Sequence, residues 1–281
     1  MSRPPSNKAA VLGLGIIGSR AYARLLEGGW SASAWNRTPK GLSGEFSEPA
    51  KATAGARWIS LYLKDAPAVR ETFSAIAPSL IPGQVVINHS TVDLATTLWL
   101  ADQCDALGCA FLDVPFTGSK LASAGGNLVY YTAGDPALLA EAEPYLRMTA
   151  KDLIPCGKIG AATIVKLATN LVSACTVQAL AEGMAVATRH GIDPQAFIDA
   201  VSQNACASVL SGMKLPTMAA ADFETHFSLG NMEKDSRYVR ELAAQAGLQT
   251  PAIDAVSARM AALCTSGLAD LDYSAVAKAY L

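Results

Sequence analysis

The sequence Ala9-Ala10-Val11-Leu12-Gly13-Leu14-Gly15-Ile16-Ile17-Gly18 decides the fold of this chain. Its first four residues are small and apolar and predict a buried strand, and the residues from Ser19 to Glu27 predict a helix. In a G-x-G-x-x-G turn between strand and helix, the first glycine makes the tight turn and the second lets a pyrophosphate approach the backbone, while the third lets helix and strand pack closely. The stretch therefore predicts a dinucleotide-binding Rossmann domain. The expected cofactor contacts in the turn are Gly13, Gly15, Ile16, Ile17 and Gly18.

The end of the second predicted strand, Ser31 to Trp35, indicates which dinucleotide binds. An enzyme that prefers NAD usually has an acidic residue here for the ribose 2′-hydroxyl. This chain has Asn36, Arg37 and Thr38 instead, and an arginine beside a hydroxyl suits a 2′-phosphate. We expect these three residues to contact the cofactor, with NADP (NADPH) favoured and NAD as the second choice. The alternative is an ordinary polar turn.

Strands and helices alternate through the rest of the first half, which predicts an α/β fold with a doubly wound sheet. The segment from Lys40 to Ala54 is rich in Gly, Ser and Pro and is predicted to be a loop. The predicted strands are 57–63, 84–88, 109–113 and 128–133, and the predicted helices between them are 66–77 and 94–108.

The carboxyl ends of the strands face the ligand in such a sheet. We therefore expect cofactor contacts from Leu63 and Lys64 after the third strand and from Ser90 and Thr91 after the fourth. Ser90 and Thr91 could equally cap the helix that follows. His89 is a weaker candidate for acid–base chemistry, because no partner is visible in the sequence.

Two further segments predict a substrate site. Thr117, Gly118 and Ser119 follow a strand, and small hydroxyl residues around a glycine expose consecutive N–H groups that can hold a carboxylate. A proline-free apolar stretch from Ile159 to Arg189 predicts a buried helix of about thirty residues. Lys166 and Asn170 interrupt its apolar surface one turn apart. Taken alone, Lys166 could also be a lysine that reaches out to solvent along the helix.

The second half of the chain after Pro194 is predicted to be all helical. The predicted helices are 195–203, 208–220, 232–247 and 251–267. In this interpretation Lys234 lies in the first turn of a helix, where a cation opposes the helix dipole, and this placement favours an external partner such as the cofactor. The alternative is an exposed lysine paired with a neighbouring carboxylate. Phe227 is a further expected cofactor contact.

Composition excludes several classes of protein. The 281 residues are 51% hydrophobic and 16% charged with a net charge of -2, which is unlike a nucleic-acid-binding or disordered chain. Met1 to Lys8 is predicted to be a disordered leader, not a signal peptide. Polar residues interrupt every long apolar run, which speaks against a membrane span. Six scattered cysteines fit buried thiols in a reducing cytoplasm, and no metal site is expected.

With these motifs in order, the sequence resembles the β-hydroxyacid dehydrogenases, the 3-hydroxyisobutyrate dehydrogenase-like family. The resemblance covers nearly the whole chain. It includes the glycine turn, Asn36-Arg37-Thr38, Ser90-Thr91, the segment 113–118, Gly157-x-x-Gly160 with Lys166 and Asn170, and Lys234-Asp235. The segments 117–120, 133–135 and 267–276 look like the glyoxylate/succinic semialdehyde reductase branch.

The resemblance implies a Rossmann domain over 1–158 and a helical substrate and dimerisation domain over 159–281, with 159–190 as a long bridging helix. It implies that Lys166 is the catalytic general acid, that Asn170 holds the substrate and that 117–119 receive its carboxylate. Ser90, Thr91 and Lys234 would contact the cofactor. The expected activity is NADPH-dependent reduction of a small aldehyde or keto acid by a cytoplasmic homodimer or homotetramer that binds neither nucleic acid nor membrane.

The chain also departs from the family pattern, and rival functions follow from related folds. The region 39–60 is shorter than in most relatives, and Phe116-Thr117 replaces a Val-Ser pair in the substrate loop. A 3-hydroxyisobutyrate-type dehydrogenase is the nearest alternative. An imine reductase usually lacks the lysine at 166, and a phosphogluconate dehydrogenase would have a histidine where Thr169 stands. A non-catalytic dinucleotide-binding protein would not need both Lys166 and Asn170.

Overall fold

A computed structural model describes residues 7–280 of the chain. Most of the predicted leader, Met1 to Ser6, lies outside the described residues. Lys8, the last residue of the predicted leader, was wrongly predicted to be disordered. It is the first residue of strand β1, and its ammonium donates to the carbonyl of Ala54 over 2.9 Å.

The first half of the chain forms one sheet of nine strands among the described residues. The strands are β1 Lys8–Leu12, β2 Ser31–Trp35, β3 Glu45–Phe46, β4 Trp58–Leu61, β5 Val85–Asn88, β6 Ala110–Asp113, β7 Phe116–Thr117, β8 Leu128–Ala133 and β9 Ala150–Gly157. Their order is β3-β2-β1-β4-β5-β6-β8-β7, with β9 paired to β8. The six neighbouring strands β3, β2, β1, β4, β5 and β6 run parallel. Strand β8 pairs antiparallel with both β6 and β7. The predicted doubly wound sheet is confirmed.

Helices follow the strands and then make up the second half of the chain. They are α1 Gly18–Glu27, α2 Pro49–Thr53, α3 Ala66–Ile76, α4 Leu94–Ala106, α5 Lys120–Ala124, α6 Pro136–Leu146, α7 Ala161–Arg189, α8 Pro194–Ser202, α9 Val209–Ala219, α10 Leu229–Gln245 and α11 Pro251–Leu263. A π-helical turn, Cys264–Leu268, and a 3₁₀ helix, Tyr273–Ala279, complete the described chain.

The chain divides into two compact units, Met1–Lys166 and Leu167–Leu281, and the division falls inside α7. In the first unit the central strands are mostly apolar and are buried along nearly their whole length, as expected for parallel strands that are covered on both faces. Trp58, Ile87, Leu112 and Tyr130 are almost fully buried there. The predicted domain boundary at 158/159 stays a prediction.

The loop predicted from Lys40 to Ala54 was only partly right. The structure has strand β3 and the one-turn helix α2 within it. Pro49 is the first residue of α2, where the fixed φ of proline suits a helix start, and Ala52 and Thr53 are buried. Two residues of strand and five of helix are too short to show a hydrophobic period, which is why the sequence pattern missed them.

In the second unit, the carboxylate of Asp272 ties the C-terminal segment to α9 and to the start of α10. Its Oδ1 accepts from Lys214 Nζ over 2.6 Å and from the backbone and hydroxyl of Ser274 over 3.0 and 2.8 Å. Its Oδ2 accepts from the backbone N–H groups of His226 and Phe227 over 3.2 and 3.1 Å. Both side chains of the Lys214–Asp272 ion pair are more than nine-tenths buried.

Helix α7 keeps several apolar side chains in contact with solvent. Val172 is 62% exposed and Val186 is 63% exposed, so the prediction of a helix buried all round was wrong. Within residues 7–280, α7 is also the one helix whose length and composition would allow a membrane crossing. The core helix of a globular protein meets the same two criteria, so this is weak evidence.

Candidate active site

The three glycines of the turn after β1 meet different surroundings. A Cβ on Gly13 would lie 2.2 Å from the carbonyl oxygen of Tyr62, and one on Gly18 would lie 1.9 Å from the carbonyl oxygen of Gly13. The packing of strand, turn and helix therefore requires these two glycines. A Cβ on Gly15 would meet nothing within 4 Å. The fold itself does not need a glycine at 15, and the open space beside it is where a pyrophosphate approaches the backbone in this kind of turn.

This difference predicts that Gly15→Ala separates cofactor binding from folding. We expect Gly15→Ala to melt at the wild-type temperature but to bind NADPH at least about tenfold more weakly, because the new methyl group occupies the phosphate position. Gly18→Ala should lose stability as well. The control is Gly212→Ala, which also meets nothing within 4 Å but lies in α9. Titration of NADPH fluorescence and thermal melts check the prediction, and undiminished binding by Gly15→Ala would contradict it.

A cavity of about 360 Å³ opens beside this turn in the first unit. It brings together seven of the predicted cofactor residues. These are Gly13, Gly15, Asn36, Arg37, Thr38, Leu63 and Lys64. Tyr62, Glu71 and Thr72 also line the cavity and were not predicted. The cationic side chains and the open glycine fit a phosphorylated dinucleotide, although Glu71 brings one opposing carboxylate into the same cavity.

Asn36 shapes this cavity through its own amide. Its Oδ1 accepts from the backbone N–H of Leu14 over 2.8 Å, and its Nδ2 donates to the carbonyl of Thr38 over 2.6 Å. The side chain thus joins the glycine turn to the end of β2. Ile16 is 42% exposed in the turn, and Ile17 is the half-buried residue before α1.

The second set of predicted cofactor residues follows β5. The hydroxyl of Ser90 accepts from the N–H of Leu63 over 2.8 Å and donates to the carbonyl of Leu61 over 3.1 Å. Ser90 therefore joins the ends of β4 and β5. Neither Ser90 nor Thr91 caps α4, so that alternative was wrong. The cap is Asp93, which accepts from the N–H of Thr96 over 2.7 Å.

His89 is part of the packing of the first unit. Its Nδ1 lies 2.8 Å from the carbonyl oxygen of Val114 and its Nε2 lies 3.0 Å from the hydroxyl of Ser60. The ring stacks on Tyr62 with centroids 4.4 Å apart. Burial lowers the pKa of His89 to about 3, against a smaller opposing effect of the Val114 carbonyl. The ring is neutral at physiological pH and both nitrogens are engaged, so the acid–base alternative for His89 was wrong.

The predicted substrate loop begins as strand β7. Thr117 and Gly118 are exposed at its end, while the hydroxyl of Ser119 accepts from the N–H of Ala122 over 3.2 Å as the N-cap of α5. A hydroxyl that accepts can still donate, so the hydroxyls of Thr117 and Ser119 and the backbone N–H groups are the donors that this segment can offer to a carboxylate.

Lys166 and Phe116 come together in the first unit. Lys166 is only 9% exposed, and its Nζ lies 6.0 Å from the centre of the Phe116 ring. Phe116 in turn packs against Tyr62, which lines the cofactor cavity, with ring centroids 6.2 Å apart. The ammonium of Lys166 is therefore placed beside the Phe116 ring, which follows the carboxyl end of β6.

Asp113, at the end of β6, holds the start of the helix that carries Lys166. Its Oδ2 accepts from the backbone N–H groups of Gly160 and Thr163 over 3.1 and 3.0 Å. Its Oδ1 accepts from the Thr163 hydroxyl over 2.8 Å, and that hydroxyl lies 2.9 Å from the hydroxyl of Thr97. Burial raises the pKa of Asp113 to about 6, although the bonds from Thr163 and Gly160 oppose the rise. The carboxylate is ionised at neutral pH.

Asn170 and Lys234 share one carboxylate in the second unit. Asn170 Nδ2 donates to Asp235 Oδ2 over 2.6 Å, and Lys234 Nζ lies 2.7 Å from Asp235 Oδ1. All three residues are more than nine-tenths buried. The dipole argument for Lys234 was wrong, because α10 begins at Leu229 and Lys234 lies in its second turn. The paired-carboxylate alternative is correct in part, although the lysine is buried.

The remaining predicted residue, Phe227, is half-buried before α10, with its ring 5.9 Å from that of Tyr273. Sequence reasoning missed Asp113 and Asp235 as partners of the helix that carries Lys166 and Asn170. One sequence signal was available for Asp113. It is a carboxylate at the end of a predicted strand, and the long helix follows a glycine, which has no side chain to accept from the first N–H groups of that helix. Within residues 7–280, no group of three or more His, Cys, Asp or Glu side chains is arranged to hold a metal ion.

Comparison with known proteins agrees with this arrangement. The family model of the NAD-binding domain of 6-phosphogluconate dehydrogenase matches residues 8–160. The model described as NAD-binding of NADP-dependent 3-hydroxyisobutyrate dehydrogenase matches residues 160–280. Together, the Rossmann sheet, the glycine turn and these matches define the class, an NAD(P)-dependent oxidoreductase that acts on CH–OH groups and uses NADP(H).

Individual relatives narrow the class. The chain is 30% identical to glyoxylate/succinic semialdehyde reductase 2, chloroplastic, of Arabidopsis thaliana, over 95% of this chain and 78% of that protein. It is 27% identical to reductase 1 of the same plant, over 95% and 96%. A Mycobacterium tuberculosis 3-hydroxyisobutyrate dehydrogenase structure with L-serine has a TM-score of 0.88 at 25% identity and 99% coverage of both chains. The chain belongs to the β-hydroxyacid dehydrogenase family.

Proposed function

We propose that this protein reduces a small aldehyde or keto acid, of the glyoxylate or succinic semialdehyde type, to the hydroxy acid with NADPH. The observation that carries the proposal is the buried Lys166, whose ammonium lies beside Phe116 at the carboxyl end of the sheet. Asn170 follows one turn later on α7. The two Arabidopsis relatives are named for these substrates, which supports the same substrate type here.

NADPH, when bound, supplies the hydride that reduces the carbonyl carbon. The chain supplies the proton and the position. Lys166 Nζ donates its proton to the carbonyl oxygen as that oxygen gains negative charge, which completes the hydroxyl group. The N–H groups of the segment 117–119 hold the carboxylate. Asn170 Nδ2 donates to Asp235, and we assign the Asn170 amide to orienting the substrate.

A substrate panel tests the proposal. We expect NADPH consumption with glyoxylate or succinic semialdehyde, and none with cyclic imines, because Lys166 occupies the position at which imine reductases usually have no lysine. The 3-hydroxyisobutyrate-type alternative predicts NADP reduction with 3-hydroxyisobutyrate and little aldehyde reduction. A protein that binds NADPH but turns over none of these compounds would be the non-catalytic alternative.

Cofactor preference gives a separate prediction at Arg37. Arg37 is exposed at the rim of the cavity beside Thr38. Loss of a charge-assisted contact to a phosphate corresponds to about 1.5–3 kcal/mol, or about tenfold to a hundredfold in affinity. We expect Arg37→Gln to raise the KM for NADPH by about that factor and to leave the KM for NADH within about twofold. NADH is the internal control because it has no 2′-phosphate. An equal loss for both cofactors would contradict the assignment.

We also propose that the protein is a homodimer or homotetramer that works in the cytoplasm on a small carboxylate substrate. The exposed apolar side chains of α7, Val172 and Val186, support association, because large exposed apolar patches mark interaction surfaces. Light scattering that shows a monomer at assay concentration would contradict the assembly. Absence of nucleic-acid and membrane partners stays a prediction from composition.

A further inference from the structure

We propose that Asp113 is a positioning residue for Lys166, holding the first turn of α7 so that the ammonium stays at the reacting carbonyl. This inference rests on the proposed function. The residue before α7 is Gly160, which has no side chain that could accept from the N–H groups of the first turn. The first turn of a helix leaves N–H groups without partners inside the helix. Asp113 fills this role from β6 by accepting from the N–H groups of Gly160 and Thr163 and from the Thr163 hydroxyl.

The clamped turn lies directly beneath the Lys166 side chain. Thr163 and Lys166 are three residues apart, which is about 4.5 Å along the helix axis. A helical side chain points back toward the N-terminus and covers the preceding turn, so the stem of Lys166 lies over the turn that Asp113 holds. A rotation or fraying of that turn would therefore move Nζ.

The segment 113–116 also lies beside the ammonium end of the Lys166 side chain. Phe116 comes three residues after Asp113, and its ring lies 6.0 Å from Lys166 Nζ. The segment 113–116 thus contacts α7 at its first turn and faces the ammonium above it. Thr163 extends the clamp to α4 through the hydroxyl of Thr97, and Asp93 caps that helix. The helix start is held by buried polar groups from two directions.

Asp113 and its partners are also among the most buried polar groups of the first unit. Asp113 is 0% exposed and Thr163 is 3% exposed. A buried carboxylate is unfavourable unless donors surround it, and here each donor comes from the start of α7 or from its first turn. The Cys156 thiol on β9 also senses this carboxylate, because Asp113 contributes to the raised pKa of Cys156 after the larger effect of burial.

The test compares Asp113→Ala and Asp113→Asn with a matched cap variant, Asp135→Ala. Asp135 caps α6 by accepting from the N–H of Leu138 over 2.8 Å, and α6 carries no site residue. We expect Asp113→Ala to lower kcat by about tenfold or more while the KM for NADPH stays within about twofold. Asp113→Asn should recover most of the activity, because its Oδ1 can accept from both N–H groups and its amide can donate to Thr163. Asp135→Ala should keep the wild-type kcat.

Two readouts do not depend on turnover. Amide hydrogen exchange at Gly160 and Thr163 should accelerate at least about tenfold in Asp113→Ala and stay slow in Asp113→Asn. Acylation of Lys166 by an amine-reactive reagent, followed by mass spectrometry with Lys158 as the internal standard, should accelerate in Asp113→Ala alone. If Asp113→Ala does not fold, Thr163→Val removes one donor of the clamp and should give a smaller change in the same direction.

Equal kcat values for Asp113→Ala and wild type, or equal losses in Asp113→Ala and Asp135→Ala, would overturn the proposal. So would unchanged exchange and unchanged acylation. If the wild type reduces no aldehyde at all, the proposed function fails, while the exchange and acylation rates still decide whether Asp113 holds Lys166 in place.

Discussion

Lys166→Met is expected to lower kcat for aldehyde reduction by about 10²–10⁴, the range typical for loss of a general acid. Methionine keeps an apolar stem of similar length and removes only the ammonium. The carbonyl oxygen then gains negative charge without a proton donor nearby. Because Lys166 lies beside Phe116 and outside the cavity lined by Arg37 and Thr38, the affinity for NADPH should stay within about threefold.

The matched control is Lys158→Met. Lys158 is exposed on the segment before α7 and should keep its activity within about twofold of the wild type. Steady-state NADPH oxidation gives kcat, and fluorescence titration gives the cofactor affinity. A Lys166→Met enzyme that keeps more than about a tenth of the wild-type kcat would contradict the role of Lys166.

Asp272→Ala is expected to destabilise the second unit by about 3–5 kcal/mol, the usual effect of leaving one partner of a buried ion pair alone. The change leaves Lys214 buried without its carboxylate, and it removes the acceptor of the His226 and Phe227 N–H groups. Asp254→Ala, at an exposed pair with Arg240, is the control and should shift stability by less than about 1 kcal/mol.

The unfolding of the second unit must be followed with a probe that reports on that unit. All four tryptophans lie in the first unit, so tryptophan fluorescence follows that unit. Far-ultraviolet circular dichroism reports on the helices of both units, so a circular dichroism transition without a matching change in fluorescence follows the second unit. Burial raises the pKa of Asp272, but Lys214 and Ser274 outweigh burial and hold that pKa below its ordinary value. The stabilisation from the carboxylate is therefore present above pH of about 4 and is lost as the pH falls further. The difference between the wild type and Asp272→Asn should shrink at low pH, and a constant difference would contradict this origin.

Much of the fold was predictable because the deciding signals are local. A strand, three glycines and a helix place the dinucleotide turn, and the turn residues Asn36 to Thr38 line the same cavity in the structure. The long helix was also visible, because about thirty residues without proline leave few alternatives. Strands of two residues and helices of about one turn were not visible, since β3 and β7 contain two residues each and α2 and α5 contain five each.

Hydrogen bonds between residues far apart in the sequence could not be predicted from local patterns. Asp113 is 47 and 50 residues from Gly160 and Thr163, and Asn170 is 65 residues from Asp235. Nothing in the local sequence of Asp113 distinguishes a helix cap from a ligand contact. Lys234 was misplaced in its helix because Gly230 and Asn231, two weak helix formers in the first turn of α10, hide the true start.

The measurement that tests the central claim most directly is the transfer of deuterium from NADPH labelled at the nicotinamide C4 to glyoxylate or succinic semialdehyde, followed by mass spectrometry of the hydroxy acid. We predict one deuterium per product molecule with the wild type and with Lys158→Met, and almost no labelled product with Lys166→Met in the same time. Unlabelled product from the wild type, or equal labelling by Lys166→Met, would contradict NADPH-dependent carbonyl reduction with Lys166 as the proton donor.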